Sequence, residues 1–293
     1  MMKIENPYAG LDYSNWLRGN LHAHTTASDG RAPIQDVINA YATLGHDFLM
    51  ISDHDILTNE DDYAKLDNRG LILIPGNEVT RNGPHLLHVG ADSLIEPSAD
   101  RQQVIDAINA SSGFAVINHP NWLSDFNHCS FENLAAWSNY LGMEIFNGVI
   151  CRLDGSPYAT DKWDRLLSRG RRVWGFANDD SHLPVVDVGL GWNVVNTKER
   201  SVEGILNAMQ RGSFYGSTGV TITAIEITGN RIRVETENAD RILAYQQVGS
   251  EFARADASAI DIEVPAKAKY VRIECLGRGG RSAWTQPFYI SAE

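Results

Sequence analysis

Nine histidines stand in the 293-residue sequence, and all of them fall between His22 and His182. Most share a short segment with a carboxylate or with one another: His22-Ala-His24, Asp53-His54-Asp55, His85-Leu-Leu-His88 and Asp179-Asp180-Ser-His182, with His119 and Glu78 standing nearby in similar contexts. Imidazole and carboxylate together suit Zn, Mn or Fe rather than calcium, which takes oxygen ligands. Residues i and i+2 of a strand point to the same side, so His22 with His24, and Asp180 with His182, can each grip one ion at two points. Asp29 adds a carboxylate just beyond the first pair. This supply exceeds one coordination shell, so two or three divalent metal ions sharing a bridging carboxylate are expected, with activation of water as their chemistry. Other routes lack residues: GxSxG is absent, and Cys129, Cys151 and Cys275 form no CxxC pair.

The elements that must position these side chains are short apolar runs. Runs at 17–24, 48–54, 71–78, 114–119 and 173–178 each end in, or lead directly into, a candidate ligand, and 86–91, 143–147 and 192–196 read as further strands. Helical periodicity fills the gaps near 33–44, 102–110, 161–168 and 202–210. The first is clearest, with Ile34, Val37, Ile38 and Tyr41 on one stripe and Gly45 as its stop. Seven or eight such βα units predict an α/β chain closed as a barrel of the TIM type or a distorted relative, whose strand C-termini share one face. An open doubly wound sheet is the alternative, without a GxGxxG or GxxxxGK[ST] to support a nucleotide site. After Gly216-Ser217-Thr218-Gly219 the texture changes to short alternating segments rich in Ile, Val and Tyr, which predict a small β-sandwich. The expected division is 1–218 for the barrel and 219–293 for the β-domain.

Composition narrows the partners. Lys plus Arg number 25 against 37 Asp plus Glu, a net charge of −12 that repels a phosphate backbone, so nucleic acid is not an expected partner. No run reaches the length of a membrane-spanning helix and the opening MMKIENPYAG lacks the marks of a signal peptide, which predicts a soluble, cytoplasmic protein acting on a small molecule. Oligomeric state is left open.

The strings LRGNLHAHTTASDG, DFLMISDHD, GNEVT, INHP and ANDDSH resemble the polymerase and histidinol phosphatase (PHP) superfamily of metal-dependent phosphoesterases and related hydrolases, over roughly residues 17–218. The wording NWLRGNLHAHT, the stretch from GWNVVN to FYGSTGV and the trailing SAWTQPF look most like its CehA/McbA branch, whose members include carbamate-ester hydrolases. The resemblance implies a distorted (β/α)7 barrel holding up to three metals. By motif, His22, His24, Glu78 and Asp180 would hold one ion, and Glu78 would bridge to a second held by His85 and His119. Asp29, His54 and His182 would hold the third, Asp29 standing where some relatives have histidine. The same pattern, His followed five residues later by Gly90, favours His85 over His88.

Four further expectations concern residues around the ions. Asp53 is read as orienting a ligand, with an exposed turn as its alternative, while His46 and His128 are read as surface or locally bonded. Arg152 is the candidate clamp for an anionic substrate group, and His182 the candidate proton donor to a leaving group. The expected function is a metal-dependent hydrolase attacking a phosphoester. A carbamate, ester or amide hydrolase with the same site, or a non-catalytic protein that uses metal only to fold, are its alternatives.

Overall fold

The structure is a computed structural model describing residues 2–292, a mixed α/β chain in which apolar runs pair into three sheets. In the longest sheet, Ile72–Ile74, Phe48–Met50 and Trp16–Asn20 lie side by side and parallel. Trp192–Asn196 and then Phe214–Ser217 follow, both pairings antiparallel. A second sheet orders Gly76–Val79, Leu86–Val89, Phe114–Ile117, Gly142–Asn147 and Trp174–Asn178, antiparallel at its first two pairings and parallel thereafter.

The closed ring of parallel strands expected from the sequence is therefore replaced, at the level of hydrogen bonding, by two sheets. The physical reasons lie at the seams. Pro75 splits the expected 71–78 strand into Ile72–Ile74 and Gly76–Val79, because proline has no N–H to give to a ladder. At the other seam, two fully buried side-chain amides take the place of backbone pairing. Asn193 Oδ1 accepts from Ala177 N at 3.1 Å while its Nδ2 donates to Ala177 O at 2.9 Å, and Gln286 makes the same pair of bonds with Gly175, each at 2.8 Å.

Strands of the first sheet are buried on both faces. Phe48 and Met50 belong to an inner cluster with Leu17, Leu87, Phe176 and Phe214, whereas Leu49 and Ile51 pack on Val37, Ile38 and Tyr41 of the helix Ile34–Thr43. That helix keeps the expected stripe, and Gly45 ends it at φ +72°, a backbone shape that suits glycine.

The C-terminal strands do not stand apart from this frame. Ser282–Thr285 pairs with Phe214–Ser217 and leads through Tyr270–Gly277 and Phe288–Ala292 to Met2–Glu5, so the long sheet joins the start of the chain to its end. A three-stranded sheet of Ile222–Thr228, Arg231–Thr236 and Ala259–Glu263 contributes Ile225, Ile232, Val234 and Ile260 to a core shared with Ile242, Val271 and Ile273 of the long sheet. Tyr8, Val194 and Tyr215 enter the same core from outside 219–293. No helix among the described residues is long and apolar enough to cross a membrane.

Candidate metal centre

Backbone bonds beyond the strand ends carry the candidate ligands into register. His24 N donates to Ser181 O at 2.8 Å and Ser52 N to Ala23 O at 2.8 Å, so the His22–His24 segment is held between the loops bearing His54 and Asp180. Asp55 N donates to Glu78 O at 2.7 Å, which adds Glu78 to the row. Gly30 allows the following turn to close on this segment, since a Cβ there would lie 2.5 Å from the His24 carbonyl. Asp180 and His119 adopt positive φ, +55° and +26°, a local strain of about 1–3 kcal/mol each that the surrounding bonds must offset.

Glu78 is the hub. Its Oε1 lies 3.3 Å from His22 Nε2, 3.2 Å from His85 Nδ1 and 3.4 Å from His119 Nε2, and its Oε2 lies 2.8 Å from His54 Nδ1 and 3.7 Å from His24 Nε2. Asp180 Oδ1 stands 3.2 Å from His22 Nε2 and 3.0 Å from His24 Nε2. Asp29 Oδ1 is 3.4 Å from His54 Nε2 and 3.3 Å from His182 Nε2. All nine candidate ligands thus meet in one place, and Asp29 is the most solvent-exposed of them, with its side chain 57% accessible.

The donor set fits divalent cations. Potential ligand atoms of His22, His24 and Asp180 lie within 4.8 Å of one another, as do those of His22, Glu78 and His119, those of His54, Glu78 and His85, and those of His24, Asp29, His54 and His182. Many of these atoms are close without being aligned as hydrogen bonds: His22 Nε2, both His24 nitrogens, Glu78 Oε2 and Asp180 Oδ1 are buried with no hydrogen-bond partner. Buried lone pairs left unsatisfied are costly, and converging ones are relieved by a shared positive charge. Tautomers agree with that use. His22 Nδ1 donates to Glu144 Oε1 at 2.8 Å and His182 Nδ1 to Asp180 O at 2.9 Å, leaving each Nε2 lone pair to face the cluster.

Electrostatics point the same way. Burial opposes ionisation of Glu78, yet the imidazoles of His22, His85 and His119 outweigh it and hold the carboxyl well below the usual range. Burial likewise opposes charge on Asp180, and His22, His24 and His119 hold it well below. Burial lowers the His54 pKa, but Asp29 and Glu78 more than compensate and bring it up to about 10. The carboxylates are therefore ionised and ready to ligate, and cations would take the place of protons on the imidazoles.

No family model matches the chain, and no curated protein matches it in sequence. Among solved structures it is similar to a two-domain protein from Bacteroides vulgatus that contains a predicted PHP-like metal-dependent phosphoesterase. The two share 15% identity and a TM-score of 0.57 over 98% of this chain and 90% of that one. The chain has the fold of that protein. Looser similarities are to PsfC from Pseudomonas syringae (12% identity, TM-score 0.46, 66% of this chain and 87% of that one) and to an amidohydrolase from Chromobacterium violaceum (15%, 0.44, 65% and 96%).

Within this fold, the support around the candidate ligands comes largely from residues that sequence reasoning passed over. Glu144, 1% exposed in the centre of Gly142–Asn147, holds the His22 ring and also accepts from His119 N at 2.8 Å, Asn147 Nδ2 at 2.8 Å and Asn178 Nδ2 at 2.9 Å. Asn118 Nδ2 donates to Glu78 Oε1 at 2.5 Å. A lone carboxylate inside the apolar run GMEIFN, and an asparagine directly before His119, were the available signals.

Two further buried acidic residues hold loops beside the site. Asp53 is buried, but it binds Thr25 N, Thr25 Oγ1 and Ser28 Oγ rather than an imidazole, and so pins the loop that carries Asp29. Asp179 accepts three backbone N–H groups, from Gly189, Leu190 and Gly191, and burial still pushes its pKa up to about 6.

The remaining histidines separate clearly. His88 is buried and donates through Nε2 to Ser112 O at 2.8 Å, whereas His85 faces Glu78. His46 is only 6% exposed, which corrects its reading as a surface residue, and its two ring nitrogens have no partner. His128 is locally bonded: its Nε2 accepts from His85 N at 3.0 Å.

A cavity of about 360 Å³ opens over the centre, lined by Glu78, His119, Asp180 and His182 on its polar side and by Trp122, Val149, Ile150 and Leu153 on its apolar side. Arg152 lines it too. Its Nε and Nη2 are engaged by both Asp187 carboxylate oxygens, at 2.8 and 2.9 Å.

Proposed function

We propose that the protein is a metal-dependent hydrolase of the PHP superfamily that cleaves phosphoesters of small molecules. One observation carries the reading: side chains from loops far apart in sequence converge on Glu78 beneath an open cavity, with tautomers that leave lone pairs facing inward. His22, His24, Glu78 and Asp180 would hold one divalent ion, Glu78, His85 and His119 a second, and Asp29, His54 and His182 a third, with Zn, Mn or Fe matching the mixed nitrogen and oxygen donors. Such ions supply, when bound, a lowered pKa for water and Lewis-acid polarisation of the phosphoryl group.

The chain's own residues would do the rest. Glu144 fixes the His22 ring, and Asp53 fixes the turn that presents Asp29. The apolar wall of Val149, Ile150 and Leu153 seats the organic part of the substrate and excludes water from it. The free face of Arg152 would bind an anionic group of the substrate, and His182 would donate to the leaving group only while its Nε2 carries a proton in place of the third ion, since Nδ1 is bonded to Asp180 O. The motif wording supports placement in the CehA/McbA branch, with 1–218 as the segment that bears the site and 219–293 as the C-terminal β-strands that complete its long sheet and core.

The test is elemental analysis of the purified protein followed by assays with p-nitrophenyl phosphate, bis-p-nitrophenyl phosphate and an aryl carbamate after loading with Zn, Mn or Fe. Phosphoester turnover that disappears in Glu78→Gln supports the reading. Protein that neither retains these metals nor hydrolyses any probe overturns it, and turnover of the carbamate alone moves the assignment to a carbonyl hydrolase.

A further inference from the structure

The charge at the cavity floor and the charge at its rim differ in kind. On the floor lie the deeply buried ligands, where Glu78, Asp180 and the imidazoles would enclose cations, so the group undergoing hydrolysis has its counter-charge supplied there. Two accessible arginines line the same opening. Arg152 has a side chain 41% accessible, and Arg31 is exposed; both line the cavity. Among the described residues no carboxylate pairs with the Arg31 guanidinium, and Asp187 occupies only Nε and Nη2 of Arg152, leaving its Nη1 free.

Their placement is not casual. Arg31 N donates to His182 O at 2.8 Å, and Asp187 Oδ2, which holds Arg152, accepts from His182 N at 3.0 Å, so both arginines are anchored to the same ligand-bearing residue. They therefore stand on the His182 side of the opening. A protein of net charge −12 repels an anionic substrate at long range, and the Arg31 guanidinium at the mouth, with the free Nη1 of Arg152, opposes that field locally. Space exists for a longer substrate as well. Arg31 and Leu183 are shared with a neighbouring groove of about 700 Å³ between the helix Ile34–Thr43 and the segment 183–188, so the cavity continues past Arg31.

We propose that Arg31 and Arg152 form a guanidinium rim that selects substrates carrying a second anionic group, carboxylate or phosphate, remote from the bond cleaved at the cation cluster. This rests on the hydrolase reading above and adds the substrate class. Guanidinium groups pair with both anions through two-point hydrogen bonds, which is why the chemistry on the page defines the charge and not yet the source.

The experiment uses compounds that cannot be hydrolysed, so that binding is read without turnover. Metal-loaded protein is titrated calorimetrically with phenylphosphonate, para-phosphonobenzoate and para-phenylenediphosphonate. Either doubly charged probe is expected to bind about ten-fold tighter than phenylphosphonate, and whichever gains more identifies carboxylate or phosphate as the remote group. That gain is expected to vanish in Arg31→Gln and to shrink in Arg152→Gln. Arg31→Gln loses no intramolecular partner, so the test survives even if Arg152→Gln disturbs the loop held by Asp187. Equal binding of all three probes, or a gain unchanged in Arg31→Gln, overturns the rim and leaves the hydrolase reading standing. Failure of every phosphonate, phenylphosphonate included, overturns both.

Discussion

Glu144 accepts the His22 Nδ1 proton at 2.8 Å while its other oxygen takes the backbone N–H of His119, so one buried carboxylate orients groups from two different loops of the candidate metal centre. Glu144→Gln keeps the shape but places an N–H among donors, from Asn178, Asn147 or His119, that need an acceptor. Loss of such an outer partner typically lowers metal affinity about 10–100-fold. That drop is expected here in a chelator competition with Zn, together with a fall in any hydrolytic rate and a far-UV spectrum that stays native. Unchanged affinity would show that the His22 orientation is fixed by packing alone.

Lys162 performs a similar service for the opposite wall of the cavity. It is 5% exposed, and its Nζ donates to Pro120 O, Phe126 O and Cys129 O at 2.9, 2.9 and 2.7 Å, tying down the loop that bears Trp122 and His128. Lys162→Met strands three carbonyls and is expected to cost about 2–4 kcal/mol. Urea unfolding measures the cost. Amide exchange at His128, whose N–H is bonded to Trp122 O at 3.1 Å, is expected to accelerate first, and a uniform change across the chain would count against a local role.

How much of this was legible in the sequence follows from how local each feature is. The clustering of the candidate ligands could be read because apolar runs stop at a histidine or carboxylate, and Ile34–Thr43 because its stripe and its glycine stop lie within a dozen residues. The break at Pro75 was also legible, since proline seldom continues a ladder, but the apolar pattern on both sides masked it. Glu144 was not, because nothing within GMEIFN says that His22, His119 and Asn178 bring donors to it. The amide stitches of Asn193 and Gln286 were beyond reach for the same reason: their partners, Ala177 and Gly175, lie 16 and 111 residues away. Strands such as Met2–Glu5 and Phe288–Ala292 form only because the two ends of the chain meet.

His46 supplies a pH test away from the metal centre. Burial, with Arg18 nearby, pushes its pKa down to about 3, so the folded protein keeps the ring neutral where the unfolded chain, near 6.5, accepts a proton. A depressed folded-state value means the stabilisation is complete above pH 6.5 and is lost as pH falls toward 3, by roughly 2–3 kcal/mol between pH 7 and 4.5. His46→Phe, which keeps an aromatic ring against the edge of Tyr41, is expected to flatten that part of the profile. Melting temperatures of both proteins across the range decide it, and parallel curves would exonerate His46.

Asp164 and Arg272 test whether the C-terminal strands are a separable appendage. Arg272 is 2% exposed and binds both Asp164 oxygens, Nε to Oδ1 at 2.8 Å and Nη2 to Oδ2 at 2.6 Å, while Tyr270 donates its hydroxyl to the same carboxylate at 2.8 Å. Asp164 lies on the helix Thr160–Ser168 and Arg272 on the strand Tyr270–Gly277, so a buried charge pair spans residue 218. Removing Asp164 leaves the buried Arg272 with only Glu274 Oε2, at 3.1 Å, a loss of up to about 3–5 kcal/mol. Replacing both Asp164 and Arg272 with apolar residues of similar volume instead releases the partly exposed Glu274 and is close to neutral. Asp164→Leu alone is therefore expected to melt far below the wild type, and Asp164→Leu with Arg272→Met to recover most of the difference. Equal losses in the single and double variants would mean that the pair is not what couples helix to strand. A chain ending at residue 218 is expected to fail to fold, because it would also leave the Phe214–Ser217 edge and the Gln286 stitch without partners.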